Sequence, residues 1–189
     1  MAVPQTGLGY ARLDGGHAAG RADELQALHA EVYSGPPSRQ PGSGAGDGFA
    51  GRFRVQRRQP GFVLAEARHG GYLVGYAAGM PLRPSTSWWR GLTTPLPGEV
   101  TAEPPGRTFA LVELLVRASW RRQGIGRALH DLLLDGRPEE RATATVPPAA
   151  TPAQTAFQAW GWRKIARTRQ DSSPVSDILV IALPLERGH

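Results

Sequence analysis

The segment of residues 109–134 limits the possible folds of this chain more than any other part of its sequence. It begins with an apolar run that reaches Val116 and is interrupted only by Glu113. Such a run is typical of a strand that is covered on both faces. A turn containing two glycines follows, and an amphipathic helix comes directly after the turn. The order predicts a buried strand that leads straight into a helix.

The helix is predicted from its two faces and its end. One side carries apolar residues at helical spacing: Ala128, Leu129, Leu132 and Leu133. The other side is expected to carry the polar residues: Arg127, His130, Asp131 and Asp135. Gly136 and Pro138 end the helix, and residues 142–146 predict the next strand. A strand, a helix and a strand in this order predict a right-handed parallel crossover, and therefore an α/β fold.

Further elements are expected on both sides of this unit. A helix that ends near Gly35 is indicated by four apolar residues at spacings of three and four: Ala22, Leu25, Leu28 and Val32. A short helix is expected around residues 49–58, and an antiparallel hairpin is expected from residues 62–67 and 72–80. The last helix is predicted to have Thr151 as its N-cap and to end at Gly161. Two closing strands follow it, at residues 162–167 and 178–183.

Two long loops interrupt these elements. Residues 34–48 are so rich in glycine and proline that we expect a flexible loop. Residues 81–107 contain the pair Trp88 and Trp89 but no sustained periodicity. Because long loops in small domains are often functional, the second one is predicted to lie on the substrate side.

Composition narrows the class of protein. A chain of 189 residues is expected to form a single domain over residues 1–189. It contains no cysteine, which excludes disulfides and a cysteine nucleophile, and its five histidines show no metal-ligand spacing, so no metal is expected. No apolar run approaches the length of a membrane span, and the first residues do not resemble a signal peptide. We therefore expect a cytoplasmic protein with no membrane partner.

The net charge of +6 comes almost entirely from arginine, since Lys164 is the only lysine. Nucleic-acid binding would require these arginines to gather on one face. The sequence does not indicate such a face, so nucleic acid is an unlikely partner on this evidence. A basic protein is equally suited to an anionic cofactor.

The turn itself suggests the ligand. Gly124 and Gly126 lie where a buried strand gives way to a helix, and there unpaired backbone N–H groups meet the positive end of the helix dipole. Arg121, Arg122 and Arg127 add positive charge. Together these features indicate a pyrophosphate site.

Two common phosphate motifs do not match this turn. A dinucleotide fingerprint would need glycine or alanine at the position of Leu129. A Walker A loop is absent from the sequence as well.

Residues 114–129 resemble the acetyl-CoA signature of the GNAT superfamily of N-acetyltransferases. In that family a Gln or Arg, two variable residues, Gly, any residue, and Gly or Ala bind the CoA pyrophosphate through main-chain amides, and residues 121–126 satisfy this pattern. The pair Gly161 and Trp162 is similar to the Gly-aromatic pair that ends a later helix of the family. The resemblance covers residues 60–183, and the first 60 residues agree in element order alone.

The resemblance implies a GNAT-type three-layer domain with a mixed sheet of six or seven strands and helices on both faces. It also implies an acyltransferase that moves an acetyl group from acetyl-CoA, its acyl-donor cosubstrate, directly to an amine of a small molecule or peptide. The expected partners are therefore acetyl-CoA and an amine acceptor. A homodimer is one option for the assembly.

Cofactor-binding residues are carried over from the family position by position. Main-chain groups of the strand are expected to meet the pantetheine arm: Leu114, Leu115 and Val116. The turn and the start of the helix are expected to hold the pyrophosphate: Arg121, Arg122, Gln123, Gly124, Ile125, Gly126, Arg127 and Ala128. Phe157 and Trp160 are expected to flank the pantetheine arm and the thiol end.

The chain departs from the family pattern at two positions. Phe157 stands where many members have a Tyr that protonates the departing thiolate, and Ala150 stands where an Asn is common. Since phenylalanine has no proton to donate, an alternative function is a catalytically weak regulatory protein that binds acyl-CoA on the same scaffold.

Glu113 is the candidate catalytic residue. A carboxylate inside an apolar strand either has a partner or lies in a cleft with a raised pKa, and in the second case it can act as general base for the acceptor amine. A structural ion pair, or a charge that anchors the substrate, is the other interpretation. Glu66, which is also on a predicted strand, is the rival base.

Two other groups of residues have alternative interpretations. Trp88 and Trp89 either line a substrate pocket or form a small core of their own loop. An arginine cluster either contacts the CoA 3′-phosphate or an acidic substrate, or forms a solvated helix face: Arg52, Arg54, Arg57 and Arg58.

Overall fold

The computed structural model describes residues 7–34, 48–169 and 175–185. Its strands, in chain order, are β1 (Leu8–Asp14), β2 (Val63–His69), β3 (Tyr72–Pro81), β4 (Thr108–Val116), β5 (Arg141–Val146), β6 (Arg163–Thr168) and β7 (Ser176–Ala182). Its helices are α1 (Gly15–Ala18), α2 (Ala22–Ser34), α3 (Phe49–Gln56), α4 (Gly98–Thr101), α5 (Ile125–Leu134) and α6 (Thr151–Ala159). Short 3-10 turns occupy Ala19–Arg21 and Ala118–Trp120.

The seven strands form one mixed sheet in the order β1-β2-β3-β4-β5-β7-β6. β1 and β3 are both antiparallel to β2, β4 is parallel to β5, and β7 is antiparallel to both β5 and β6. The parallel pair is the one that flanks α5, as the strand-helix-strand order requires. The predicted α/β class and mixed sheet are confirmed.

The chain is organised as two compact units. The first consists of Met1–Met80 and Val112–Leu133, and the second consists of Pro81–Leu111 and Leu134–His189. The boundary between the units falls within β4. The single domain over residues 1–189 stays a prediction. The flexible loop at 34–48 also stays a prediction, because residues 35–47 lie outside the described ranges. The same holds for the predicted position of the loop at 81–107 on the substrate side.

The core of the first unit is formed by helix residues that pack against the β2–β3 hairpin. It contains Leu25, Leu28 and Val32 of α2, all of which are buried. Two phenylalanines of α3 and Tyr76 of β3 join the same cluster. The periodicity of the apolar residues in α2 therefore predicts which face of this helix is buried.

The β2–β3 hairpin turns at two consecutive glycines. Gly70 and Gly71 have φ values of 54° and 83°, and two consecutive positive φ values are typical of the tight turns that match strand twist. His69 pairs with Tyr72 across the turn. The hairpin was predicted at this position, and its antiparallel pairing is confirmed.

α5 buries one residue that was expected on its polar face. Ile125, Leu129, Leu133 and Leu134 are buried as an apolar stripe. His130 is fully buried beside that stripe, and the prediction that it lies on the polar side is wrong. A position three residues before Leu133 and four before Leu134 faces the same side of a helix, whatever the polarity of the residue that occupies it.

The second unit contains β5 and β7. Ala142, Ala144, Ile178 and Leu179 are buried within it, and α6 contributes Phe157.

The start of α6 differs slightly from the prediction. Its N-cap is Ala150, which has no capping side chain, rather than Thr151. The side chain of Gln154 donates to the carbonyl oxygen of Val146, which lies before the helix, at 3.2 Å. Gly161, with a φ of 91°, follows the end of the helix, as predicted.

Candidate active site around Glu113

Glu113 lies in the first unit with its side chain 18% exposed. The Tyr33 hydroxyl donates a hydrogen bond of 2.9 Å to Glu113 Oε1. His29 Nε2 lies 3.8 Å from Glu113 Oε2, which is too long for a hydrogen bond. One carboxylate oxygen is therefore held by a neutral donor, and the other has no hydrogen-bond donor among the described residues.

Helix α2 brings both neighbours to this carboxylate. His29 and Tyr33 are four residues apart and so lie on the same face of the helix, with their ring centroids 4.5 Å apart. The His29 ring also packs against Phe49 of α3 at 4.9 Å. Phe49 in turn stacks on Phe53 at 5.5 Å. A row of aromatic rings thus supports the groups around Glu113.

Burial raises the pKa of Glu113 from 4.5 to about 7, because the charged form loses solvation. Two smaller effects act in the opposite direction: the hydrogen bond from Tyr33 and the positive charge of Arg52. Near neutral pH the side chain is therefore divided between its acid and its base form. A group with this property can both accept and release a proton.

Three neighbours of Glu113, His29, Tyr33 and Tyr76, are neutral at pH 7. Burial lowers the pKa of His29 to about 4, and the charge of Arg52 acts in the same direction. Burial raises the pKa of Tyr33, and the negative charge of Glu113 raises it further. The pKa of Tyr76 is raised by the same two causes in the same order. Among these four groups, Glu113 alone titrates near pH 7.

Two polar atoms in this part of the core lack a hydrogen-bond partner among the described residues. They are His29 Nδ1 and the hydroxyl oxygen of Tyr76, and both are buried. An unsatisfied buried polar group costs about 1–3 kcal/mol. A polar ligand or an ordered water that reached either atom would recover part of that cost.

The predicted phosphate turn has an open, left-handed backbone. Arg122 and Gly124 have φ values of 64° and 80°. A Cβ added to Gly124 would meet no atom within 4 Å, so the backbone there borders open space. α5 begins at the next residue, Ile125, whose side chain is buried while its backbone opens the helix. These features suit a pyrophosphate, because oxygens can approach exposed amides at the positive end of a helix.

Several side chains of the turn form hydrogen bonds within the protein. Arg121 Nε donates to the carbonyl oxygen of Val116 at 3.0 Å, and Arg127 Nε donates to Asp131 Oδ2 at 2.7 Å. Gln123 Nε2 donates to the carbonyl oxygen of Ser119 at 3.1 Å. Arg122 is exposed. The positive charge is therefore present at the turn, although two of its arginines are held by internal hydrogen bonds.

β3 approaches the end of β4 very closely at Gly75. A Cβ on Gly75 would lie 2.8 Å from the carbonyl oxygen of Leu115 and 3.2 Å from Leu129 Cδ1. Leu115 is buried, whereas Leu114 and Val116 are half-buried. The absence of a side chain at Gly75 is what allows this part of β4 to lie against both β3 and α5.

The predicted site residues of the second unit form an aromatic cluster. Phe157 is buried, and its ring centroid lies 5.5 Å from that of Trp160 and 5.0 Å from that of Trp162. The Phe157 ring has no exchangeable proton, so it cannot act as an acid. Its role beside a bound cosubstrate, and that of Trp160, stays a prediction.

Both tryptophans of the loop at 81–107 are hydrogen-bonded inside the second unit. Trp88 Nε1 donates to Thr143 Oγ1 at 3.1 Å, and Trp89 Nε1 donates to Glu103 Oε1 at 2.9 Å. The same Glu103 oxygen accepts from Arg141 Nη2 at 2.9 Å. The Trp89 bond stays inside the loop, which favours a core of its own for that residue, whereas the Trp88 bond joins the loop to β5.

Glu66, the rival base, is surrounded by arginines. Its carboxylate is buried, 3.1 Å from Arg68 Nε and 3.4 Å from Arg21 Nε. Both arginines lie against this carboxylate, so they stand where a substrate amine would have to approach it. The geometry favours Glu113 over Glu66.

The second unit also has a surface depression of ≈ 560 Å³. It is lined by Gln154, Gln158, Gly161, Trp162, Arg163, Lys164 and Leu179. None of these residues carries a carboxylate, so the depression offers no base. Over the described part of the chain, no three His, Asp or Glu side chains are grouped closely enough to hold a metal ion.

Comparison with known proteins identifies the family. The family model described as Acetyltransferase (GNAT) family matches residues 24–162. The chain belongs to this acetyltransferase family. The match spans the phosphate turn, Glu113, and the helix that carries Phe157. The family includes acyltransferases, and acetyl-CoA is its usual cosubstrate.

Solved structures of GNAT acetyltransferases share the fold of this chain. An acetyltransferase from Thermus thermophilus has a TM-score of 0.62 and 20% identity, covering 93% of this chain and 97% of its own. The ribosomal-protein-S18-alanine N-acetyltransferase of Escherichia coli has a TM-score of 0.61 and 14% identity, covering 96% of each chain. A GNAT acetyltransferase from Staphylococcus aureus has a TM-score of 0.66 and 12% identity, covering 93% and 99%. At these identities the likeness supports the GNAT-type fold alone, and that predicted fold is confirmed.

No curated protein sequence gives a significant match to this GNAT chain. In the described ranges, none of the helices combines the length and the apolar character that a membrane span needs.

Four residues around Glu113 were not predicted from the sequence to be part of its site: His29, Tyr33, Tyr76 and Arg52. His29 and Tyr33 are four residues apart in a helix that could be predicted, with His29 next to the apolar residue Leu28. That spacing is the only sequence signal that could have indicated His29 and Tyr33.

Proposed function

We propose that this chain is an N-acetyltransferase that moves an acetyl group from acetyl-CoA directly to an amine of a small molecule or peptide, with Glu113 as the general base. The observation that carries the proposal is the state of the Glu113 carboxylate. It is partly exposed, its pKa is about 7, and its only hydrogen bond among the described residues comes from Tyr33.

The proposed base step follows from this geometry. Amines bind largely as ammonium ions, which must lose a proton before they can attack a thioester. Tyr33 occupies Glu113 Oε1, which leaves Oε2 to take that proton directly or through one water. The hydroxyl of Tyr33 keeps its own proton at neutral pH, because its pKa is raised. It therefore acts as a donor that fixes the orientation of the carboxylate.

Acetyl-CoA would supply the activated acetyl group. The left-handed, open backbone at Gly124 supports a pyrophosphate site in the turn and the first turn of α5. The amides of Gln123 to Ala128 would hold the phosphates, and the charge of Arg121 and Arg122 would stabilise them. With no cysteine and no nucleophile elbow in the sequence, direct transfer is proposed rather than a covalent enzyme intermediate.

The remaining parts of the proposal come from the sequence. We infer a cytoplasmic enzyme that works without a metal or a nucleic-acid partner, with a homodimer as one option for its assembly. Leu114, Leu115, Val116, Phe157 and Trp160 are proposed to contact the pantetheine arm.

A second candidate is a weak acyl-CoA-binding regulator on the same scaffold, and Phe157 favours it. The family position of an acid is occupied here by a buried ring without a hydroxyl. If wild type binds acetyl-CoA without turnover, and Phe157→Tyr gains turnover, the regulator is the better description.

The test is a coenzyme A release assay against a panel of amines. Wild type is expected to release thiol in the presence of at least one amine, and Glu113→Gln is expected to lower kcat by about 10²- to 10⁴-fold, the usual contribution of a general base. Acetyl-CoA affinity, measured by calorimetry, should be unchanged in Glu113→Gln. Glu140→Gln is the matched control, since Glu140 is exposed and makes only a surface ion pair with Arg107.

Binding of the cosubstrate is tested separately. Gly126→Val places a branched side chain at the start of α5, and it should greatly weaken acetyl-CoA binding in the same calorimetric measurement. Equal affinity of wild type and Gly126→Val would contradict the pyrophosphate assignment. Near wild-type turnover of Glu113→Gln would instead contradict the assignment of the base.

A further inference from the structure

Arg52 of α3 has no ion-pair partner in the described part of the chain. Its side chain is exposed and makes no ion pair or hydrogen bond with any described residue. By contrast, Arg117 pairs with Glu31, and Arg68 pairs with both Glu24 and Glu66. A guanidinium without a partner among the described residues can bind an anionic group of a ligand.

The position of Arg52 on α3 places it beside the helix face that packs against a neighbour of Glu113. Phe49 and Phe53 are buried, and Arg52 lies at the edge of the face that they form, since residues three and four apart share one side of a helix. Phe49 packs against His29, which is the neighbour of Glu113 Oε2. The Arg52 guanidinium lies beside the first residue before the helix, because a Cβ at Gly48 would be 2.8 Å from Arg52 Nη1.

The charge of Arg52 acts on every ionisable group around the site. It lowers the pKa of His29 and of Glu113, and it opposes the effect of burial on the pKa of Tyr33 and of Tyr76. This electrostatic effect agrees with the place of Arg52 beside Phe49, whose ring packs against His29. Arg54, two residues further on, lies about 200° around the helix from Arg52.

The two charges suit a ligand with both signs. An acceptor ammonium is attracted to the Glu113 carboxylate, whereas an anionic group bound there alone would be repelled by it. A guanidinium offers planar, paired donors that match a carboxylate. We propose that the acceptor is a zwitterionic amine, whose carboxylate is bound by Arg52 while its amino group faces Glu113. This proposal rests on the proposed acetyl transfer.

A simpler role for Arg52 would be to keep Glu113 ionised through its charge. In that case every acceptor would lose activity equally when Arg52 is removed, because the base serves them all. Recognition of a carboxylate affects only acceptors that carry one, and it acts mainly on KM. The two roles are therefore separated by comparing acceptors that differ in this group alone.

The experiment uses matched pairs of acceptors. Glycine, β-alanine, 4-aminobutyrate and 6-aminohexanoate are each compared with the alkylamine of the same chain length that lacks the carboxylate. The ratio of kcat/KM within each pair is measured for wild type, Arg52→Ala, Arg52→Lys and the control Arg54→Ala. The series of chain lengths also reports the spacing between the two charges.

Wild type is expected to prefer the carboxylated member of at least one pair by about 10- to 100-fold, the contribution of a hydrogen bond to a charged group. Arg52→Ala should reduce that preference to about one through a rise in KM. Arg52→Lys should keep part of it, since the charge remains while the paired donors are lost. Arg54→Ala should keep all of it.

Three results would overturn the inference. The first is an equal or higher kcat/KM of wild type for the amine without a carboxylate in every pair, a result that leaves acetyl transfer itself intact. The second is that Arg52→Ala lowers kcat/KM by the same factor for both members of a pair. The third is that acetyl-CoA binds but none of the acceptors supports thiol release, a result that contradicts the proposed transfer as well.

Discussion

Tyr33 donates a hydrogen bond of 2.9 Å to Oε1 of Glu113, a residue eighty positions later in the chain. The bond joins α2 to β4 inside the first unit. It lowers the pKa of Glu113 against the larger effect of burial, which raises it to about 7. The hydroxyl therefore affects both the orientation and the ionisation of the proposed base.

Replacing Tyr33 by Phe removes that hydrogen bond and leaves the ring in place. The pKa of Glu113 should rise above its value of about 7. Since a base must be ionised to accept a proton, the acidic limb of the pH profile of kcat/KM should move to higher pH. Tyr10→Phe is the control, because Tyr10 is exposed on β1 and lies outside the Glu113 site. An acidic limb that stays in place would show that the hydroxyl does not affect the base.

Glu113→Gln should increase stability while it removes activity. The pKa of Glu113 is raised in the folded state, so its stabilising contribution is fully present below about 4.5 and is lost as the pH rises through about 7. Glutamine carries no charge to desolvate, and its amide oxygen can still accept from Tyr33. The variant should therefore exceed wild type by about 3 kcal/mol at pH 8 and match it near pH 4.5.

Urea unfolding at pH 4.5, 6 and 8 measures this difference. A constant difference across the three pH values would mean that the carboxyl group titrates normally in the folded protein. The outcome is independent of turnover, so it holds whether or not an acceptor has been found.

Gly124→Ala should weaken acetyl-CoA binding, whereas Gly136→Ala should not. Both glycines have positive φ values, 80° and 64°, and neither would bring a Cβ within 4 Å of another atom. Each substitution should therefore cost about 1–2 kcal/mol of stability through backbone strain alone. Calorimetry with acetyl-CoA separates the two, because Gly124 belongs to the proposed phosphate turn while Gly136 follows the end of α5. Equal affinities would contradict a role of the turn in binding.

Gly75→Ala should destabilise the fold by about 1–3 kcal/mol, a typical result of overpacking. Its Cβ would lie 2.8 Å from the carbonyl oxygen of Leu115, and a backbone atom in a sheet cannot easily move away. Gly9→Ala is the control, since a Cβ at this position on β1 would meet nothing within 4 Å. Thermal unfolding of the two variants should differ by several degrees. Similar midpoints would show that β4 adjusts freely.

Local patterns predicted most of the fold. The apolar period of α2, the glycine pair between β2 and β3, and the buried run of β4 each indicate their element without knowledge of the rest of the chain. β1 could not be predicted in this way, because its residues are mostly exposed and show no alternation. It becomes a strand by pairing with β2, from Leu8 opposite His69 to Asp14 opposite Val63.

The candidate site was predictable only in part. Glu113 stands out because a carboxylate interrupts an apolar run, and the turn at Gly124 stands out as a motif. The neighbours of Glu113 come from α2 and α3, and no local signal links His29 or Arg52 to a residue so distant in sequence. His130 was placed on the wrong face because its polarity suggested exposure, although its position in the helical period predicts burial.

The division of the first unit between Met1–Met80 and Val112–Leu133 has a consequence during synthesis. A ribosome adds about 5–20 residues per second, so Glu113 is made about 4 to 16 s after Tyr33, given the eighty positions between them. Until then the nascent hairpin and α2 lack Leu115, which belongs to their apolar cluster. The proposed base is thus added late to its own half of the protein, and a nascent chain that has emerged only as far as the β2–β3 hairpin has no base with which to transfer an acetyl group.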